Sequence, residues 1–91
     1  MCGIAGYVDF NHQPQKSIVS KMLQTISYRG PDQEGVYIDK HVAMGIRRLS
    51  IIDLKSGNQP MYNEDKTITV VFNGEIYNFL ELRKILESKG H

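Results

Sequence analysis

Only one cysteine occurs in the sequence, and a single thiol cannot close an internal disulfide, so nothing ties the chain to an oxidising compartment. Charge of one sign is not in excess either: a net charge of +1 gives no electrostatic footprint for nucleic acid or an anionic membrane. No apolar run approaches the roughly 20 residues of a membrane span. The first residues lack the charged segment and apolar core of a signal peptide. His12, His41 and His91 are scattered, no Cys/His/Asp/Glu spacing matches a metal site, and no glycine-rich phosphate loop is present. The default expectation is a soluble cytoplasmic protein with no metal or cofactor in the chain itself and no nucleic-acid or membrane partner.

What is there is ordinary for a globular protein, with 41% hydrophobic and 23% charged residues. Ninety-one residues make one domain or part of one. A chain of this size buries only roughly 60–65% of the surface it exposes when unfolded, so its margin of stability is thin.

The lone cysteine stands directly behind the initiator, in Met1-Cys2-Gly3-Ile4-Ala5-Gly6. Removal of Met1 would make Cys2 the first residue, placing a nucleophile and a base on one residue. A free α-amine has a pKa of about 7.7–8.0, so near neutral pH it is partly unprotonated and can accept the thiol proton. Such N-terminal nucleophile chemistry needs no histidine. The competing use of a lone cysteine is as a small buried hydrophobe.

Periodicity organises the rest. Gly3–Val8 has strand character. Asp9–Pro14 is a polar loop. Ile18, Val19, Met22, Leu23 and Ile26 recur at three and four, predicting a helix that ends before Tyr28-Arg29-Gly30-Pro31, since the residue before a proline avoids the helical region. Gly35–Asp39 and Val42–Arg47 are strand candidates that can form a hairpin, although Asp39-Lys40-His41 is not a strong turn signal. Leu49–Leu54 is largely apolar, strand or irregular core, and Lys55–Pro60 is a loop by composition. Thr67–Phe72 predicts a strand. Asn78 predicts a helix cap, with Glu81 completing a capping-box arrangement and Phe79, Leu82, Ile85 and Leu86 on one face. Gly90 fits a C-terminal stop. Strands without visible partners and the end of the chain directly after the last helix suggest the first part of a larger domain.

Three stretches offer chemistry. Asn73-Gly74-Glu75 follows a strand candidate and has two readings. One is a tight hairpin turn. The other is a strand running on through Glu75, with Asn73 and the Gly74 N–H free to act as oxyanion donors, worth about 2.7–4 kcal/mol each in a transition state. Arg47 and Arg48 border an apolar run. Such arginines are either solvated or ion-paired, or one is forked onto a ligand carboxylate. Arg29-Gly30-Pro31-Asp32 reads first as a turn.

Four stretches in this order resemble one family: Cys2-Gly3-Ile4-Ala5-Gly6, Arg29-Gly30-Pro31-Asp32, Arg48-Leu49-Ser50-Ile51-Ile52-Asp53, and Asn73-Gly74-Glu75-Ile76-Tyr77-Asn78. Together they resemble the class II glutamine amidotransferase domain, and within that class the N-terminal part of glutamine-hydrolysing asparagine synthetases. The resemblance spans essentially the whole chain. It implies an α+β fold, the N-terminal nucleophile hydrolase-like αββα sandwich, of which residues 1–91 would be the first portion. It implies that Cys2 attacks the side-chain amide of L-glutamine, with the oxyanion held by Asn73 and the Gly74 N–H. Arg48 would hold the α-carboxylate, backbone from Leu49, Ser50, Ile51 and Ile52 would line the pocket, and Glu75 would help bind the α-amino group. Ammonia would pass to an absent C-terminal synthetase domain, where ATP and Mg would activate aspartate.

Two departures accompany the resemblance. The family often has histidine two residues before its arginine, where this chain has Ile46. Its domain also runs to roughly double this length, within the usual domain range. The residues therefore carry two expectations. The intact protein is a glutamine-hydrolysing amidotransferase, and this stretch alone is inactive; alternatively the stretch is a non-catalytic, regulatory or interaction piece that retains half of the fold.

Overall fold

A computed structural model describes residues 2–49 and 58–91. Met1, Ser50, Ile51 and Ile52, and all of the predicted apolar run after Leu49, lie outside the described residues. The elements are β1 (Gly3–Val8), α1 (Lys16–Thr25), a 3-10 turn (Ser27–Arg29), β2 (Gln33–Ile38), β3 (Val42–Arg48), β4 (Met61–Tyr62), β5 (Thr69–Val70) and α2 (Phe79–Ser88). The chain is of the α+β class.

The first three strands form an antiparallel sheet in the order β1-β3-β2. Gly3 pairs with Arg47 and Val8 with Val42 on one side of β3, and Gln33 pairs with Arg48 and Ile38 with Ala43 on the other. Alternate residues of a strand share a face. Ala5 and Tyr7, Val36 and Ile38, and Ala43 therefore meet α1, whose Val19 and Leu23 are fully buried against them. Burying such side chains contributes about 1.5–3 kcal/mol each. Ile46, of opposite parity to Ala43, is also fully buried. The position where the family often has histidine is thus an apolar packing position on the face turned away from α1.

Local polar groups explain the turns. At the tip of the β2–β3 hairpin, Asp39 Oδ1 accepts the N–H of His41 and of Val42, both at 2.8 Å, and the Asp39 N–H donates to the Val42 carbonyl at 2.9 Å. The aspartate imitates the missing turn pair with its own side chain. Those two N–H groups hold its carboxyl below the usual aspartate range. Asp9 does the same after β1, accepting from the N–H of Asn11 at 2.8 Å and of His12 at 3.0 Å. Tyr7 then accepts the Gln15 N–H at 2.7 Å and pins the start of α1.

The predicted strand over Thr67–Phe72 shrinks to Thr69–Val70, paired with Met61–Tyr62. Side chains take over the backbone groups on both sides of it. Asn63 Oδ1 accepts the Ile68 N–H at 2.9 Å, Asp65 Oδ1 accepts the Thr67 N–H at 3.1 Å, and beyond the strand Gln59 pairs with Phe72. This small sheet reaches the first through the Tyr62 and Tyr37 rings, edge-on with centroids 6.3 Å apart. The loop before it lies on β2, where a Cβ on Gly35 would run into the Gln59 carbonyl oxygen.

Helix α2 starts where Asn78 predicts, but the expected capping box does not form. Asn78 sits at φ −98, ψ 31 and makes no side-chain cap bond. A cap needs extended backbone to turn its side-chain oxygen onto the first turn. Its carbonyl instead accepts the Leu82 N–H at 3.1 Å. The other end is as expected: Gly90 takes φ +94, its N–H donates to Glu87 and the His91 N–H donates to Leu86, each at 3.0 Å. That pair of bonds is the Schellman stop, which glycine enters without a Cβ clash. Every residue of α2 is exposed. Its apolar stripe, Phe79, Leu82 and Leu86 with Ile76 before it, borders an open groove of about 410 Å³.

Candidate active site

Cys2 immediately precedes β1 and is half-buried. It lines a pocket of about 290 Å³ with Gly3, Ile4, Ile26, Arg29 and Asn73. Three segments remote in sequence therefore converge: the start of the first strand, the 3-10 turn after α1, and the segment after β5. The convergence is made by hydrogen bonds on one acceptor. The Cys2 carbonyl accepts from Asn73 Nδ2 at 2.9 Å and from Arg29 Nε at 3.2 Å. A carbonyl has two lone pairs, so this one is fully used. The two donors fix the plane of the Cys2–Gly3 peptide and with it the direction in which the cysteine projects. They also bring an arginine and an asparagine side chain together at the cysteine-bearing residue.

The two neighbouring arginines separate cleanly. Arg47 Nε donates to the Gly30 carbonyl at 2.9 Å and its Nη1 meets Glu34 at 3.1 Å, so it is ion-paired across the sheet and ties the turn to β3. Arg48 ends β3, half-buried, with Nη1 on Gln33 Oε1 at 3.0 Å and on Asn58 Oδ1 at 3.3 Å. Gln33 Nε2 in turn donates to Asn58 Oδ1 at 2.9 Å. Among the described residues the partners of Arg48 are neutral amides, which orient its guanidinium. The register that pairs Gly3 with Arg47 puts Cys2 and Arg48 at the same end of adjacent strands. Leu49, half-buried, continues from there.

The other expected residues are less gathered. Gly74 and Glu75 are exposed and do not line the Cys2 pocket. Both readings of Asn73-Gly74 are corrected. A two-residue hairpin of the Asn-Gly type needs positive φ at both positions, and neither residue has it. The strand does not run on through Glu75 either, because β5 ends at Val70. The segment is irregular, held by side chains.

Sequence reasoning assigned no site role to Arg29, read as part of a turn and of a family stretch, to Gln33, which fell in no predicted element, or to Asn58 and Gln59, read as loop. Each acts through a hydrogen bond to a residue far along the chain, which no local pattern encodes. Among the described residues no group of three or more His, Cys, Asp or Glu side chains is placed to hold a metal ion, and no helix is long and apolar enough to cross a membrane.

Comparison with known proteins identifies the family. Residues 1–91 match the family described as glutamine amidotransferase domain. Asparagine synthetase [glutamine-hydrolyzing] 1 of Bacillus subtilis is 48% identical over 97 aligned residues, covering all of this chain and 15% of that relative. Asparagine synthetase [glutamine-hydrolyzing] 3 of the same organism is 45% identical, again over the whole chain and 16% of its own length. Asparagine synthetase [glutamine-hydrolyzing] 3 of Arabidopsis thaliana is 45% identical over 97% of the chain and 16% of its own length. The chain thus spans about one-sixth of the length of these relatives.

Proposed function

Because the chain belongs to the glutamine amidotransferase domain family, we propose that it carries the nucleophile and oxyanion side of a glutaminase site. The observation that bears most weight is the contact between Asn73 and Cys2, two residues 71 positions apart. With Met1 removed, the Cys2 amine takes the thiol proton and the sulfur attacks the side-chain carbonyl carbon of L-glutamine. The carbonyl oxygen becomes an oxyanion. Asn73 Nδ2 carries two N–H groups; one is on the Cys2 carbonyl, and the other is free to turn to that oxyanion. The Gly74 N–H, next along the chain, is the second donor. Return of the proton to the amide nitrogen expels ammonia and leaves a thioester on Cys2, which water hydrolyses to glutamate and the free thiol. Arg48 holds the α-carboxylate by its planar fork. Glu75 with backbone from Leu49 to Ile52 completes the binding side.

In this reading residues 1–91 are the first part of a glutaminase domain with αββα layering. Burial of Ile46 on the face opposite α1 supports a covered second face. The ammonia serves amide synthesis, most simply ATP- and Mg-dependent formation of asparagine from aspartate, in line with the names of the relatives. The test is Cys2→Ala in the intact protein. Glutamine-dependent synthesis is expected to vanish while synthesis from free ammonia persists. Glutamine hydrolysis at the unmodified rate in Cys2→Ala would overturn the proposal.

A further inference from the structure

Gln59 belongs to no motif, yet its side chain grips the main chain directly before Asn73. Phe72 donates its N–H to Gln59 Oε1 at 2.6 Å, and Gln59 Nε2 donates to the Phe72 carbonyl at 3.0 Å. A primary amide bonded to both polar groups of one residue reproduces a rung of an antiparallel ladder. It does so past the end of β5, where no strand partner continues among the described residues. The Phe72 carbonyl and the Asn73 N–H belong to the same planar peptide unit. Fixing that oxygen fixes the plane from which Asn73 departs, and hence the aim of the amide that reaches Cys2. Gln59 is itself anchored, since its own backbone lies on Gly35, where only a residue without a Cβ leaves room.

We propose that Gln59 is a positioning residue for the oxyanion donor Asn73, an inference that rests on the glutaminase reading above. Its neighbour Asn58 contacts Arg48. The dipeptide Asn58-Gln59 thus reaches both sides of the site: one amide steadies the carboxylate-binding arginine, the other steadies the oxyanion donor. The two amides then have separable kinetic signatures. Loss of Gln59 weakens an interaction made in the transition state and lowers kcat. Loss of Asn58 loosens binding of a non-reacting group and raises KM.

The experiment uses the intact protein with Gln59→Ala, Gln59→Glu and Asn58→Ala. Rates are taken per active site titrated with a glutamine-mimicking diazo-ketone. For Gln59→Ala, kcat for glutamine hydrolysis is expected to fall by about 10- to 100-fold with KM little changed, as befits a misaimed donor. Gln59→Glu keeps an acceptor for the Phe72 N–H but cannot donate to the Phe72 carbonyl, so its loss is expected to be smaller. It also decides the matter if the alanine variant fails to fold. Asn58→Ala is expected to raise KM. Gln59 variants that melt earlier but keep the unmodified kcat per titrated site would show a merely structural role and overturn the inference. A rise in KM at constant kcat would do the same. Unmodified protein that shows no Cys2-dependent glutaminase activity overturns the glutaminase reading itself. Cys2-dependent activity indifferent to Gln59 overturns this inference alone.

Discussion

Helices α1 and α2 are each ten residues long, and both repeat apolar side chains at three and four. Helix α1 buries Val19 and Leu23 completely against the three-stranded sheet. Helix α2 buries none of its residues. The same pattern has two outcomes because amphipathicity specifies a helix with a side to hide, not the surface that hides it. The contrast extends to the segments around them. Residues 2–49 hold the core, whereas residues 58–91 add little burial but supply Asn73 to the Cys2 pocket. One region gives the pocket its platform and the other gives it a hydrogen-bond donor on the Cys2 carbonyl.

The sharpest way to test this division is Asn73→Ala in the intact protein. Losing one oxyanion donor is expected to lower kcat for glutamine hydrolysis by about 10²–10³-fold. As Asn73 is exposed, the melting temperature should hardly move. A large loss of stability with kcat preserved would reverse the roles of the two regions. Leu23→Ala should act the other way, destabilising by about 2–5 kcal/mol in urea unfolding and leaving kcat per folded molecule intact. Leu82→Ala on the bare face of α2 is the matched control. An equal loss there would mean that α2 is as covered in the intact protein as α1, and would break the comparison.

Arg48→Lys, at the end of the platform strand, should raise KM for glutamine more than it lowers kcat, because one arm of the fork to a non-reacting group is lost. Steady-state kinetics that show a pure kcat loss would contradict its role. The smallest effect is expected at the hairpin tip. Asp39 has its carboxyl held below the usual range, first by the His41 N–H and then by the Val42 N–H. A depressed carboxylate contributes stability above its unfolded pKa of about 3.9, and loses it as pH falls through the lower folded value. Urea midpoints should therefore show unmodified protein ahead of Asp39→Asn at neutral pH and the gap closing below about pH 4. A gap independent of pH would remove the charge from the explanation.

The legible parts of the molecule are those where adjacent side chains carry the information. Strand β1, helix α1 and the β2–β3 hairpin follow from apolar spacing, and Cys2 and Asn73 stand out by residue type. What was illegible depends on the path of the chain. Arg29 reads as a turn residue until the 3-10 turn brings its guanidinium onto the Cys2 carbonyl. The strand expected through Phe72 stops short because the Gln59 amide takes the place of a strand partner. Asn78 fails to cap because its ψ, not its side chain, decides the reach. In the first two cases a polar side chain settles a competition between local and distant hydrogen bonds, and spacing is silent about which wins.

The most direct measurement is the mass of the intact protein before and after treatment with the glutamine-mimicking diazo-ketone. The account predicts a chain beginning at Cys2 that gains a single adduct on that residue, in step with loss of glutamine hydrolysis. A working enzyme that retains Met1, or is inactivated by an adduct elsewhere while Cys2 stays free, would contradict it.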